Sequence, residues 1–407
     1  MTVSYGALGL QLLDDDYIQS PASLYGRMHA EGPVHSVGDT GFYAVPGWAA
    51  VQEAVARVDD FSSNLTGTIM RRADGSIGTF TMDGLGGPTH VLATADDPSH
   101  RVHRKMLLPQ LAAKRIRALQ PLVEGTNDSL WRKSLADGTV EWMSALANRL
   151  PMMVVGRMIG VPDDDVDQLV AWGYASTQLL EGLLGPDDLA AARAATLELS
   201  GYIAEHFTRA AQNPGDNLLG DLAIACQSGE VDTLTAQIMM ITLFSAGGES
   251  TASLLGSAAH VLATRPHIQQ QVRDNPDLLG PFLEEVLRFE PPFRGHYRHV
   301  VNDCTLAGTE LVAGSRLLLL WGAANRDPAQ FHQPDEFRLD RTNGKGHLSF
   351  GKGAHFCVGS ALARLEARIV IGDMLRRTDW ISARAVGRWL PSLLVRRLAS
   401  LELDIEI

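Results

Sequence analysis

The chain has 407 residues, 45% hydrophobic and 20% charged, with a formal net charge of −12. That composition belongs to a globular protein with room to bury a cofactor, and the acidity argues against a general affinity for nucleic acid or an anionic membrane. The three cysteines, Cys226, Cys304 and Cys357, are far apart with no CxxC pair, so neither a disulfide framework nor a structural zinc is expected and a cytoplasmic setting fits.

The first 16 residues lack a basic start followed by a long apolar run. No window is read as a membrane-spanning helix, so no membrane partner is expected. Residues 41–45 read as a short strand. Residues 61–94 read as an irregular loop rich in Gly, Thr and Ser, a length that usually carries function. Asp97 and Pro98 mark a helix start as N-cap and first helical residue. Residues 140–159 and 187–213 are helical by periodicity. A long helix is predicted over 232–265, stopped by Pro266, and another over 281–290, ended by Pro291-Pro292. Strand patterns follow at 304–306, 309–312 and 316–321, with further alternation over 393–407. The prediction is mostly α with small β regions. No linker divides residues 1–407, so one domain is expected.

Three patterns carry chemistry. In Phe350-Gly351-Lys352-Gly353-Ala354-His355-Phe356-Cys357-Val358-Gly359, three glycines surround one thiol, and a helical pattern begins just after. Glycines let the loop turn back and aim N–H groups at one atom, while a helix N-terminus lowers a thiol's pKa. Both features favour a metal-ligating thiolate. In Glu285-Val286-Leu287-Arg288, the spacing puts an acid and a guanidinium on one helix face. In Ala246-Gly247-Gly248-Glu249-Ser250-Thr251, two glycines interrupt a long helix at a cost of roughly 0.5–1 kcal/mol each. Either close helix packing or a flat ligand at the backbone would use the missing side chains, and a widened turn is one possible outcome.

The spacing F-G-x-G-x-H-x-C-x-G resembles the haem-ligand loop of the cytochromes P450. The E-x-x-R helix, the run Ala324-Asn325-Arg326-Asp327-Pro328 and the glycine-bearing long helix resemble that family too. The resemblance spans residues 96–367 with specific motifs. It implies a P450 fold with haem b (iron protoporphyrin IX) buried between the long helix and the Cys-loop helix. Cys357 would be the axial ligand. Phe350, Gly351 and Gly359 would shape its loop, and Gly247 would border the haem. His100, Arg104, Arg298 and His355 would hold the two propionates. Glu285 and Arg288 would form a core pair with a third partner, Arg338 or Arg341. Glu249 and Ser250 would relay protons, with Thr251 as the alternative hydroxyl, since the family usually has Thr where Ser250 stands.

The implied reaction is monooxygenation of an organic small molecule with O2. No flavin or iron–sulfur motif occurs here, so electrons are expected from a separate ferredoxin and reductase, docked near Lys105, Lys352, Arg364 and Arg368. Pocket positions by resemblance are Met82, Leu85, Phe244, Ala246, Phe293, Arg294, His296, Leu393 and Leu394. Arg294 and His296 would recognise a polar or anionic substrate group. Residues 172–185 would form a lid with glycine hinges. Oxidative coupling or desaturation, a haem sensor without turnover, and a cofactor-free helical binder are the competing readings.

Overall fold

The computed structural model describes residues 7–72, 74–82, 89–135, 138–180, 183 and 185–407. Its centre is the helix Thr233–Thr264, capped by the Asp232 carboxylate, which accepts the Thr235 N–H at 2.9 Å. This helix is apolar nearly all round, as expected of an element buried on every side. It packs against Arg149–Ile159, Val166–Gln178, Pro186–Gln212 and Ser360–Arg377. By length and composition it could cross a membrane, contrary to the sequence expectation. However, 56% of its apolar window is buried in the fold, as in the core helix of a globular protein.

A five-stranded sheet flanks the helices, in the order His35–Ser36, Phe42–Val45, Arg316–Leu319, His296–Val300, Phe61–Ser62. In it, Leu319 pairs with His296 and Leu317 with Arg298. The C-terminal strand Leu401–Glu406 lies between Trp380–Val386 and Thr139–Glu141.

Several elements differ from the sequence prediction. Residues 61–94 are not irregular throughout: Gly67–Arg71 and Ile77–Thr81 form an antiparallel hairpin. Its Thr- and Gly-rich strands hide the usual alternation. Residues 140–159 are not one helix. The strand Thr139–Glu141 comes first, then a wide turn closed by Asn148 N–H donating to Met143 O at 2.8 Å, then the helix Arg149–Ile159. The Glu141 carboxylate directs this switch, accepting from Ser144 N at 2.6 Å and Leu401 N at 2.7 Å. The apolar run at 317–321 leaves its strand after Leu319, and Trp321 opens the turn Trp321–Ala324. Of 393–407, only Leu401–Glu406 is a strand. Pro266 both follows one helix and opens the next, Pro266–Asp274.

Candidate functional site

Cys357 closes a tight loop. Gly351 and Gly353 adopt φ of 65° and 68°, where a side chain would be strained. The Cys357 N–H donates to Phe350 O at 2.8 Å. The helix Ser360–Arg377 begins just beyond, and the N–H groups of Gly359 and Ser360 hydrogen-bond to the sulphur. Burial nonetheless pushes the thiol pKa up; those N–H groups, Arg104 and Arg364 pull it back only in part. This corrects the expected lowering, because desolvation outweighs a helix end. A metal cation would supply the missing positive charge. Cys357 and the adjacent Phe356 are both exposed, and the space they face is a cavity.

His100, Arg104, Arg298 and His355 line the same cavity. The His100 and His355 rings stack with centroids 4.0 Å apart. Burial, then the charges of Arg298, His100 and Arg104, push His355 down to about 3. Burial brings Arg298 to about 10, and burial together with Arg104 lowers His100. Among the described residues the one acceptor of Arg298 is the Tyr297 carbonyl at 2.7 Å. The Nε2 of His355 meets Ser63 Oγ at 2.9 Å, but its buried Nδ1 has no partner. Two guanidiniums, Arg104 and Arg298, beside two neutral imidazoles, one with an unpartnered buried nitrogen, are the donor set that a carboxylate would satisfy.

The long helix supplies the opposite wall through Leu243, Ala246, Gly247, Ser250, Thr251 and Leu254. Their spacing of three and four marks one helical face. Phe244 lies off that face, fully buried in the cluster with Tyr174 and Ile203. No widened turn opens: the helix is continuous, and Ser250 Oγ donates to Ala246 O at 2.5 Å. Both glycines serve helix packing. A Cβ on Gly247 would lie 2.9 Å from Val155 Cγ2, and one on Gly248 2.6 Å from Met152 Cε. Glu249 does not reach the cavity. Consecutive helical residues point about 100° apart, so Ser250 and Glu249 diverge. Glu249 is fully buried, with Oε1 accepting from Arg397 Nε at 3.1 Å and Oε2 unpartnered. Burial raises its pKa despite Arg397.

Beneath the cysteine loop, Arg288 donates Nε and Nη2 to Glu285 at 2.8 and 2.7 Å. Its remaining hydrogen bonds go to the carbonyls of Asn325, Pro334 and Glu336. Arg341 Nε completes the carboxylate at 2.9 Å, while Arg338 contributes only its backbone N–H. The geometry therefore selects Arg341 as the third side chain.

A family model of the cytochromes P450 matches residues 211–394. The chain is 66% identical to cytochrome P450 144 of Mycobacterium tuberculosis over 389 residues, covering 96% of this chain and 90% of that protein. It belongs to the cytochrome P450 family. Cytochrome P450 monooxygenase PikC of Streptomyces venezuelae is 31% identical, over 98% of this chain and 94% of that one. CYP109E1 from Bacillus megaterium, solved with testosterone, superposes with a TM-score of 0.85 at 25% identity, covering 97% and 100% of the two chains.

Membership makes this P450 a haem monooxygenase, with haem iron as its cofactor and O2 and a small organic molecule as its reactants. The cavity fits that cofactor: one thiol on one wall, the carboxylate-binding cluster at an edge, and small or apolar residues between.

The pocket expectations fare unevenly in this P450. Phe293, His296, Ala246 and Gly247 line the cavity. Arg294 does not: it is 3% exposed and donates to the carbonyls of Ser392 at 3.0 Å and Tyr17 at 3.3 Å. It staples backbone and is not placed to meet a substrate. Leu393 and Leu394 are buried in a separate apolar cluster on which Met82, Leu180, Leu183 and Phe293 pack. Leu85 lies outside the described residues. Gly173, expected as a hinge, sits mid-helix against Met152, and Trp172 Nε1 ties that helix to Glu198 at 2.7 Å. Of the expected docking cations, Lys105, Lys352 and Arg368 are exposed, although Lys352 also bonds Gln52, whereas Arg364 is half-buried and bonded to Glu284.

The sequence reading missed Leu92, Ala93, Leu243 and Glu366, all on the cavity wall. Glu366 is the one carboxyl there among the described residues. It is 1% exposed, has an unpartnered Oε2, and burial pushes it up to about 8.

Proposed function

We propose that this P450 inserts one oxygen atom of O2 into a largely apolar organic molecule, as a single catalytic domain drawing electrons from a separate ferredoxin-type donor in the cytoplasm. The observation that carries the reading is that Cys357, the carboxylate-binding cluster and the hydroxyls of Ser250 and Thr251 all open onto one buried cavity. Haem b, when bound, supplies the O2 activation; the protein supplies position, protons and exclusion of water. Cys357 holds the iron. His100, Arg104, Arg298 and His355 take up the propionate charges.

The Ser250 O–H is committed to the Ala246 carbonyl, so its oxygen accepts from the cavity side and can anchor a water. Glu366 carries a proton at neutral pH, but it stands on the helix behind Cys357 and a bound haem would separate it from Ser250, so Ser250 and Thr251 are the groups placed to hold water on the O2 side. With Arg294 withdrawn and the other cations claimed by propionates, Leu92, Ala93, Leu243 and Phe293 leave an apolar seat for substrate. Exposed Lys105, Lys114, Arg117 and Arg368 would steer an acidic donor protein.

The test is the CO spectrum of dithionite-reduced protein, wild type against Cys357→His. A strongly red-shifted Soret band in wild type alone supports thiolate ligation. The same band in both would overturn it. NADPH-driven product formation that needs added ferredoxin and its reductase tests the electron route; turnover without them would refute that part.

A further inference from the structure

His296 opens the strand His296–Val300, and Trp321 opens the turn that follows the neighbouring strand Arg316–Leu319. Two backbone bonds fix this corner: Gly322 N–H donates to Arg294 O at 3.1 Å, and Leu320 N–H to Val45 O at 3.0 Å. Across it, Trp321 Nε1–H donates to His296 Nδ1 at 2.6 Å. An indole nitrogen can only donate, so Nδ1 must be the lone-pair nitrogen. A neutral ring with Nδ1 accepting carries its proton on Nε2. A protonated ring would set two donors against each other. Burial and Arg298 independently hold the ring neutral, down to about 4. Phe293 and Trp321 pack beside the ring at centroid distances of 5.0 and 5.8 Å, restricting its rotation.

Among the described residues Nε2 has no hydrogen-bond partner, and the ring lines the cavity. Arg298 is two residues on in the same strand, so both side chains leave one face of the sheet. Both line the cavity, and Arg298 has guanidinium donors to spare beyond its bond to the Tyr297 carbonyl.

We propose that Trp321 locks His296 as a neutral Nε2–H donor, and that this donor and Arg298 together hold one carboxylate at the cavity wall. The proposal rests on the P450 reading of the cavity. Two sources could present the carboxylate: a haem propionate or an acidic substrate. The arrangement adds a fixed, uncharged donor where a further cation would only repel Arg298.

The experiment follows haem transfer from the holoenzyme to apomyoglobin in wild type, His296→Phe, His296→Gln and Trp321→Phe, with melting curves to show that each is folded. Parallel samples carry haem dimethyl ester, which has no carboxylate. Spin-state titration with dodecanoic acid, against dodecanol as its uncharged match, reports the substrate side. If a propionate is held, His296→Phe loses haem about ten-fold or more faster, the worth of a hydrogen bond to a charged group. Trp321→Phe then falls between, His296→Gln stays near wild type, and the differences collapse with the ester. If a substrate carboxylate is held, haem loss is unchanged but His296→Phe weakens dodecanoic acid by a similar factor and leaves dodecanol alone. Unchanged haem loss together with unchanged dodecanoic acid affinity overturns the proposal, as does a difference in haem loss that persists with the ester. A wild-type protein that takes up no haem overturns the P450 reading of the cavity and the proposal with it.

Discussion

The layer beneath the cysteine loop and the walls of the cavity treat buried carboxyls in opposite ways. Under the loop, both oxygens of Glu285 are used, with Arg288, Arg341 and the Arg338 N–H converging on them. Beside the cavity, Glu249 and Glu366 each keep a buried oxygen without a partner, and burial raises both pKa values. A satisfied buried ion network is rigid and costly to open; an under-satisfied buried acid holds its proton and can part with it. The first arrangement suits a base that fixes the cysteine loop. The second keeps an acid neutral in a dry interior, so its charge is never buried unpaired.

The largest effect should come from breaking the satisfied network. Arg288→Ala leaves Glu285 Oε2 and three carbonyls without partners in a dry interior, with only Arg341 left to balance the carboxylate charge. We expect a loss of about 3–5 kcal/mol, seen as a collapse of the melting temperature and of haem retention. Retained stability would mean that the two layers are energetically alike and the contrast is only geometric.

Next is the pH dependence written by Glu366. Its folded pKa of about 8 stands above the usual 4.5, so between these values the folded state keeps a proton that the unfolded state releases. Stability therefore falls as pH rises through that window and levels off above it, by up to about 1.4 kcal/mol per pH unit. Glu366→Gln should flatten the fall, with the gain over wild type growing from pH 5.5 to 7.5 in urea denaturation. Parallel pH curves for the two proteins would remove Glu366 from the unsatisfied class.

The two layers also differed in how far the sequence disclosed them. The cysteine loop, the E-x-x-R pair and the His100–Arg104 pair were legible because local spacing brings each together: glycines two, four and six residues from Cys357, an i,i+3 pair, an i,i+4 pair on one helix; Arg298 and His355 entered only through the family resemblance. Arg341 could not be separated from Arg338, since one bonds through its side chain and the other through its backbone. The cavity walls depend on helical phase and on tertiary packing. Phase was available: counting back seven from Ser250 gives Leu243, not Phe244. Glu366 also left a signal, an acid between Leu362 and Val370 on an apolar stripe. Nothing local could have shown that Arg294 turns toward Ser392, or that Leu393 and Leu394 pack away from the cavity, because those partners are 98 and more residues distant or come from another cluster.

The smallest effect sharpens the comparison most. Arg397→Leu leaves Glu249 without its charged partner, and the acid answers by holding its proton more tightly, which limits the loss to about 1–3 kcal/mol. Arg397→Leu with Glu249→Leu removes donor and acceptor together and should return to within about 1 kcal/mol of wild type. The matching pair under the loop, Glu285→Leu with Arg288→Leu, should recover little. Arg288 also serves the Asn325, Pro334 and Glu336 carbonyls, and those stay unpaired whatever replaces Glu285. Chemical denaturation of the four single and two double variants decides it. Recovery in both pairs, or in neither, would mean that the number of satisfied bonds does not separate the structural layer from the walls of the cavity.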